Sequence, residues 1–372
     1  MPEDALRKEL EAAIEGGEPF GPAGDDDGRQ EVSAASLLEV LLRAPDRTEE
    51  PKRLYLRHVR IRGELDLEAQ HLGLRMRLDR CELTSNLNLR QARAVDVEIL
   101  DCVIAGGLYA NQATLRWNLR LNDSRVDRGI WLLGARIGGQ LSMNGAKLKG
   151  MADGDGKLMP ALSAGDVEVS GGVFCDGLSS EGEVRLLGAR IGGQLSMNGA
   201  KLKGMADGDG KLSASLSADH IAVSGSIFCD GLSSEGEVRL LGARIGGQLS
   251  MNGAKLKGMA DGDGKLRPAL SAGGAEVSGD LFCDGLDCEG EARLIGAKVL
   301  GALSLNRAKL KGMVDGGGKL APALGADGVE VSDGVFCDGL SSEGEVRLLG
   351  AKVSGVLLMS GAKLKSMVDK GG

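Results

Sequence analysis

Asp-Gly-Asp-Gly occurs three times in the chain, at Asp153/Asp155, Asp207/Asp209 and Asp261/Asp263. Two carboxylates one residue apart could contribute to a Ca2+ site, which needs about six or more oxygens held by a rigid turn. A fourth copy reads Asp315-Gly-Gly-Gly and loses half the charge, so solvated Gly-Asp turns are the expected reading. The first of these runs, 150–158 (GMADGDGKL), brushes against a phosphate-binding loop. Its spacing is one residue too long, and Leu158 replaces the Ser or Thr that would meet Mg2+. Cys175, Cys229, Cys283 and Cys337 each precede Asp-Gly. The seven cysteines include no Cys-x-x-Cys pair, and there are only three histidines, His58, His71 and His220. No Cys–His or Ser–His–Asp constellation assembles by spacing, and no dinucleotide fingerprint opens a helix. No catalytic, cofactor or metal residue is therefore assigned, and an enzyme is not expected.

The elements that carry these residues follow from a repeat. The 27 residues 132–158 recur letter for letter at 186–212 and 240–266, and degenerate copies begin at Leu294 and Leu348, always 54 residues on. Inside each 54 runs a finer beat. Val173/Cys175, Leu178/Ser180, Val184/Leu186, Ala189/Ile191, Leu195/Met197 and Ala200/Leu202 are pairs one residue apart, advancing in steps of five and six. Such pairs followed by a Gly-rich corner describe very short strands, inward at both ends. The beat persists through unrepeated sequence, from Leu54/Leu56 to Ala92/Ala94 and, after a one-residue slip, from Val97/Ile99 to Leu364. Copying alone cannot explain that. With only 9 aromatic residues, the interior must be closed by Leu, Ile, Val, Ala, Met and Cys.

The five-residue unit, shown best by Ala189-Arg-Ile191-Gly-Gly and Ala200-Lys-Leu202-Lys-Gly, resembles the pentapeptide-repeat family, with one residue added at every second corner. That resemblance implies an all-β fold, a right-handed quadrilateral parallel β-helix. Four faces would take 22 residues, giving about 12 coils and a rod roughly 60 Å long. It also implies that a type II topoisomerase could be the partner, because some members mimic duplex DNA and shield that enzyme (gyrase) from inhibitors. The wording RLLGARIGGQLS is similar to bacterial proteins labelled membrane-associated oxidoreductases, whose longer members carry a membrane-embedded helical C-terminus. This chain shows no run of about 18 apolar residues. A membrane is not its expected partner, and the expected location is the cytoplasm.

Three regions follow: an acidic helical cap and linker over 1–50, divergent coils over 51–148, and 54-residue repeats over 149–372. In the cap, Leu6, Leu10 and Ile14 form a helical stripe stopped by Gly16-Gly17, residues 16–30 read as a flexible acidic linker, and Ser33 can cap a second helix. The cap holds 14 acidic and 5 basic residues, whereas 51–150 holds 17 basic and 10 acidic, so the head is expected to fold back on the basic coils. The four inserts should leave one corner as a row of loops. In the last coil, Leu357, Met359, Leu364 and Met367 have no lid, which predicts an end-to-end homodimer through that coil.

On the outside, Phe174, Phe228, Phe282 and Phe336 are expected as a contact stripe, unless inserts or neighbouring side chains cover it. Arg77, Arg120, Arg125, Lys201 and Lys255 are candidate anion contacts, and Tyr109 above Trp131 hints at a stacking platform. Glu168/Arg190, Glu276/Lys298 and Glu330/Lys352 should pair between coils. The inward cysteines are expected as buried neutral thiols, with Cys81 and Cys102 in contact on adjacent coils. Identical copies suit multivalent contact better than one differentiated pocket. The expected function is a non-enzymatic scaffold for protein partners, the alternative being the topoisomerase-binding DNA mimic. Nucleic acid is not the expected partner.

Overall fold

A computed structural model describes residues 3–22, 28–43 and 51–365, apart from 153–155, 157, 208, 209, 211, 261, 263, 265 and 315–320 within the inserts. Beyond the cap the chain winds as a parallel β-helix, and each turn lays one short strand on each of four faces. We number the faces I to IV in chain order, beginning with Arg53–Arg57 on face I and Val59–Arg62 on face II. Every strand of the coils pairs in parallel with the strand one coil away, as in Leu195↔Ile227 on face I and Leu202↔Ser234 on face II, whereas Met151–Ala152 and Leu158–Met159 in the first insert form an antiparallel pair. Face II is a sheet of 14 strands and face III one of 12.

Corner chemistry explains the five-and-six beat. Between faces I and II, and again between III and IV, only two residues separate inward positions. The second takes a left-handed backbone, as at His58 (φ 52°), Ala69 (57°), Gly177 (66°) and Gly188 (64°). The N–H of Leu178 donates to the carbonyl of Cys175 at 3.1 Å, and that of Ala189 to Leu186 at 3.2 Å. These are β-turns with a positive φ at the third residue, the geometry glycine adopts at least cost. Cys-Asp-Gly, Met-Asn-Gly and Leu-Leu-Gly are thus one corner in three spellings. The other two corners hold three residues. There Gly192 is needed for a second reason, since a Cβ would lie 2.3 Å from the carbonyl oxygen of Ser170 one coil below.

The inward residues form one continuous core from Leu6 to Leu340. Leu54, Leu56, Val59, Ile61, Leu65 and Leu67 are fully buried in the first coil alone. Each such side chain stabilises the stack by roughly 1.5–3 kcal/mol. The slip is a register shift: Leu72 pairs with Ala94, but Arg75 pairs with Asp96, so that coil lacks one residue at its IV-to-I corner.

At the N-terminal end, α1 (Glu3–Gly16) buries Leu6, Leu10 and Ile14, and α2 (Ala34–Arg43) buries Leu37, Val40 and Leu41. The amide of Ser36 donates to Ser33 Oγ at 3.0 Å, the expected cap. Two pieces of the expected flexible linker are ordered instead. Phe20 is buried and bridges to the first coil, its N–H donating to the Tyr55 carbonyl at 2.8 Å. Gln30–Ser33 adds a strand to face II, in register with Val59–Arg62. Both cover edge groups that the first coil would otherwise leave unpaired. The head meets the basic coils through Glu15–Lys52 and Glu31–Arg62. At the other end Leu357 and Leu364 are 51% and 52% exposed, although both occupy inward positions. Met367 lies outside the described residues.

A side-chain ladder, not anticipated from the sequence, fastens the I-to-II corner. Asn198 Oδ1 accepts the amide of Asp230 at 2.9 Å, and Asp230 Oδ1 accepts the amide of Asn252 at 2.8 Å and the buried Ser250 hydroxyl at 2.5 Å. The same set recurs at Asp176 and Asp284. Asp230→Ala would strand the Ser250 and Asn252 donors, at a cost of about 1–3 kcal/mol. Asp230→Asn keeps the accepting oxygen. Urea unfolding should therefore shift for the alanine variant and stay close to wild type for the asparagine one; equal loss in both would refute the ladder.

Candidate functional site

The beat that buries one set of residues lines up the others in columns along each face. On face II the column runs Arg125, Lys147, Ser179, Lys201, Ser233, Lys255, Asp287, Lys309, Ser341 and Lys363. The expected anion contacts Arg125, Lys201 and Lys255 thus share one line. Arg125 is held by Asp127 through two contacts, at 2.7 and 2.8 Å, which also raises its pKa. Lys201 and Lys255 are exposed and make no ion pair among the described residues; Lys201 lies between Ser179 and Ser233, and Lys255 between Ser233 and Asp287. The second lysine of three Lys-Leu-Lys runs is weakly paired, Lys203 with Glu235 at 3.7 Å, Lys311 with Glu289 at 4.0 Å and Lys365 with Glu343 at 3.9 Å.

Arg77 and Arg120 stand on face I and flank Glu98, at 3.5 and 2.5 Å. The Phe stripe lies on that face too, but Phe174, Phe228, Phe282 and Phe336 are half-buried. Phe174, Phe228 and Phe282 sit between serines, as Ser196↔Phe228↔Ser250, whereas Phe336 lies between Ser304 and Leu358, and the ring of Phe174 lies within reach of a Cβ on Gly172. Neighbouring residues cover them in part. The more exposed apolar line is at the III-to-IV corner: Leu133 (50%), Leu187 (37%), Ile295 (43%) and Leu349 (77%). Its signal was the second Leu of Leu-Leu-Gly, which falls outside the inward pair.

Charges on face IV pair between coils, Arg136–Glu168–Arg190 at 3.2 and 2.9 Å and Glu330–Lys352 at 2.7 Å. Glu276 reaches Arg244 at 4.0 Å instead of the expected Lys298. Tyr109 and Trp131 stack on face III with centroids 4.7 Å apart, and Arg90 covers Tyr109 at 4.5 Å. The inserts do leave the II-to-III corner. The second and third lean together through the Gly262 amide and the Gly210 carbonyl, 2.9 Å apart. Of the aspartates expected to turn in solvent or hold Ca2+, only Asp207 is among the described residues; residues 153–155 and 157 of the near-match to a phosphate loop lie outside them.

Compared with known proteins, the chain matches no family model, no curated protein and no solved structure.

A deeper feature opens where the short coil passes. A cavity of about 320 Å3 is lined by Arg53, Arg75, Arg77, Asp96, Trp117 and Arg120, with Glu98 and Met76 beside them. The Arg75 guanidinium lies 5.4 Å from the Trp117 ring, and Arg53 and Arg77 lie 5.2 and 5.0 Å from Tyr55. Burial pushes the Asp96 carboxyl up, although Asn118 donates to it from both its backbone and side-chain nitrogens. The sequence could not reveal this cluster, since Arg75 and Trp117 are two coils apart.

All seven cysteines are free and buried. The Cys81 amide donates to Cys102 Sγ at 3.2 Å, the expected contact. Burial pushes the thiols of Cys175, Cys229, Cys283 and Cys288 up to about 12. A thiol reagent at about pH 8 should therefore label none of the seven in the native protein and all seven in denaturant. An unfolded thiol ionises near pH 8.5, whereas Cys175, Cys229, Cys283 and Cys288 stay protonated to about 12 in the folded chain. Stability is thus fully present below that lower pH and falls as pH rises through the window, by up to about 1.4 kcal/mol per unit for each thiol. Prompt native labelling would contradict the burial.

Proposed function

We propose that the chain is a rigid scaffold that binds a protein partner through its repeated outer columns. The observation that carries this reading is the row Lys147, Lys201, Lys255, Lys309 and Lys363. Successive lysines are two coils apart, about 10 Å, on a face whose backbone is bonded from coil to coil. Equal spacing on a stiff support favours a partner with acidic groups at a matching interval, because each further contact then forms at high effective concentration. The Leu133, Leu187, Ile295 and Leu349 line offers apolar contacts two or four coils apart.

The DNA-mimic reading asks for a strongly acidic rod. Residues 51–372 carry 40 basic and 39 acidic side chains, and face II turns its lysines outward. The scaffold reading is better supported. It also assigns the exposed Leu357 and Leu364 of the last described coil to a second copy, whose identical edge would pair with it end to end. Immobilised full-length chain should capture a partner from lysate, together with an untagged copy of itself. Changing Lys201, then Lys255, then Lys309 to Glu should release the partner stepwise, each change weakening retention by about tenfold or more. Retention of the partner unchanged in the triple variant would overturn the lysine row, and absence of the untagged copy would overturn the end-to-end contact.

A further inference from the structure

Among the described residues, a register irregularity between Leu72 and Arg75 lies beside the cavity on faces IV and I. Both tyrosines and both tryptophans of the chain fall between Tyr55 and Trp131, around the same coils. A stretch that merely added length would need neither. The missing residue tightens the corner of the short coil, so that Arg75 and Trp117 meet across it.

The charge inside the cavity is unbalanced. Arg53, Arg75, Arg77 and Arg120 face two carboxylates, Asp96 and Glu98. Glu98 serves Arg77 and Arg120, while Asp96 Oδ1 accepts from Asn118. Arg53 and Arg75 make no ion pair among the described residues, where the acidic head reaches Lys52 through Glu15 and Arg62 through Glu31. The Nε atoms of Arg75 and Arg77 are buried without an acceptor. Two positive charges in excess, several planar forks and unmet donors call for a ligand that only accepts hydrogen bonds and carries two negative charges. The cavity is larger than a phosphate ion needs, and the Trp117 ring, with the Arg75 guanidinium over it, forms part of its wall.

We propose that this cavity binds a phosphate dianion, free or as a small monoester, with Arg53 and Arg75 as its principal ligands and Trp117 beside it. The site is independent of the scaffold reading, since it uses none of the face II lysines. Because the chain has only Trp117 and Trp131, intrinsic fluorescence reports on it directly, and Trp131→Phe leaves Trp117 alone. Inorganic phosphate, adenosine monophosphate and adenosine would each be titrated into the full chain at low salt. Both phosphate probes should give a saturable change that Arg75→Gln weakens by about tenfold or more, equivalent to about 1.4 kcal/mol. Arg190→Gln on face IV, removing the same charge far from the cavity, should leave the titration as it was. Tighter binding of the monophosphate than of phosphate would identify a monoester, and equal binding would identify the free ion. The proposal fails if neither probe gives a saturable response up to about 10 mM, if Arg75→Gln binds as wild type does, or if adenosine binds as tightly as its monophosphate. Thermal unfolding of each variant separates lost binding from lost folding.

Discussion

The structure depends on a backbone that must satisfy its own hydrogen bonds from one coil to the next. Strands of two or three residues are too short to hold a register by themselves, so register comes from the corners. At two corners of each coil a β-turn with a left-handed third residue closes the chain, and at those same corners Asn and Asp side chains bind the amide one coil on. Once these repeat, the neighbouring residues are sorted without further instruction. Positions at either end of each short strand point inward and are filled by aliphatic residues and thiols, and the position between them points out.

That sorting separates stability from recognition. The interior is one uninterrupted core, so an inward change is felt by the coils above and below it. The outer columns touch little beyond the same column one coil away, and they vary freely along the rod. Face IV spends its column on alternating charges that pair with each other, face III stacks Tyr109 on Trp131, and face II leaves lysines facing serines. The 54-residue copies turn such columns into evenly spaced arrays. The divergent first coils instead build the one cavity in which Arg, Trp and carboxylate side chains converge from different coils.

Local periodicity made most of the fold legible. The inward pairs, the slip before Val97 and the cap at Ser33 are all properties of neighbouring residues, and the structure places them as the spacing implies. What stayed hidden was long-range. Gln30–Ser33 and Phe20 look like linker because their partners, Val59–Arg62 and Tyr55, lie some 30 residues away and share no pattern with them. The Phe row was expected as a contact stripe unless something covered it, because alternation says which way a side chain leaves the strand, not what lies over it. The corner role of Cys-Asp-Gly was masked by the reactive residue at its head; its thiol is inert packing, and the Asp and Gly beside it shape the turn.

The most direct test is the distance between equivalent points on one face. Native thiols are buried, so cysteines introduced on face IV can carry spin labels alone. Labels at Arg190→Cys and Lys298→Cys span four coils, and labels at Arg136→Cys and Lys352→Cys span eight. At about 4.8 Å per coil, pulsed dipolar spectroscopy should give about 19 Å and about 38 Å, in a ratio of two to one. Two distances that fail to scale with the number of coils between them would contradict the stacked helix and every column assigned to its surface.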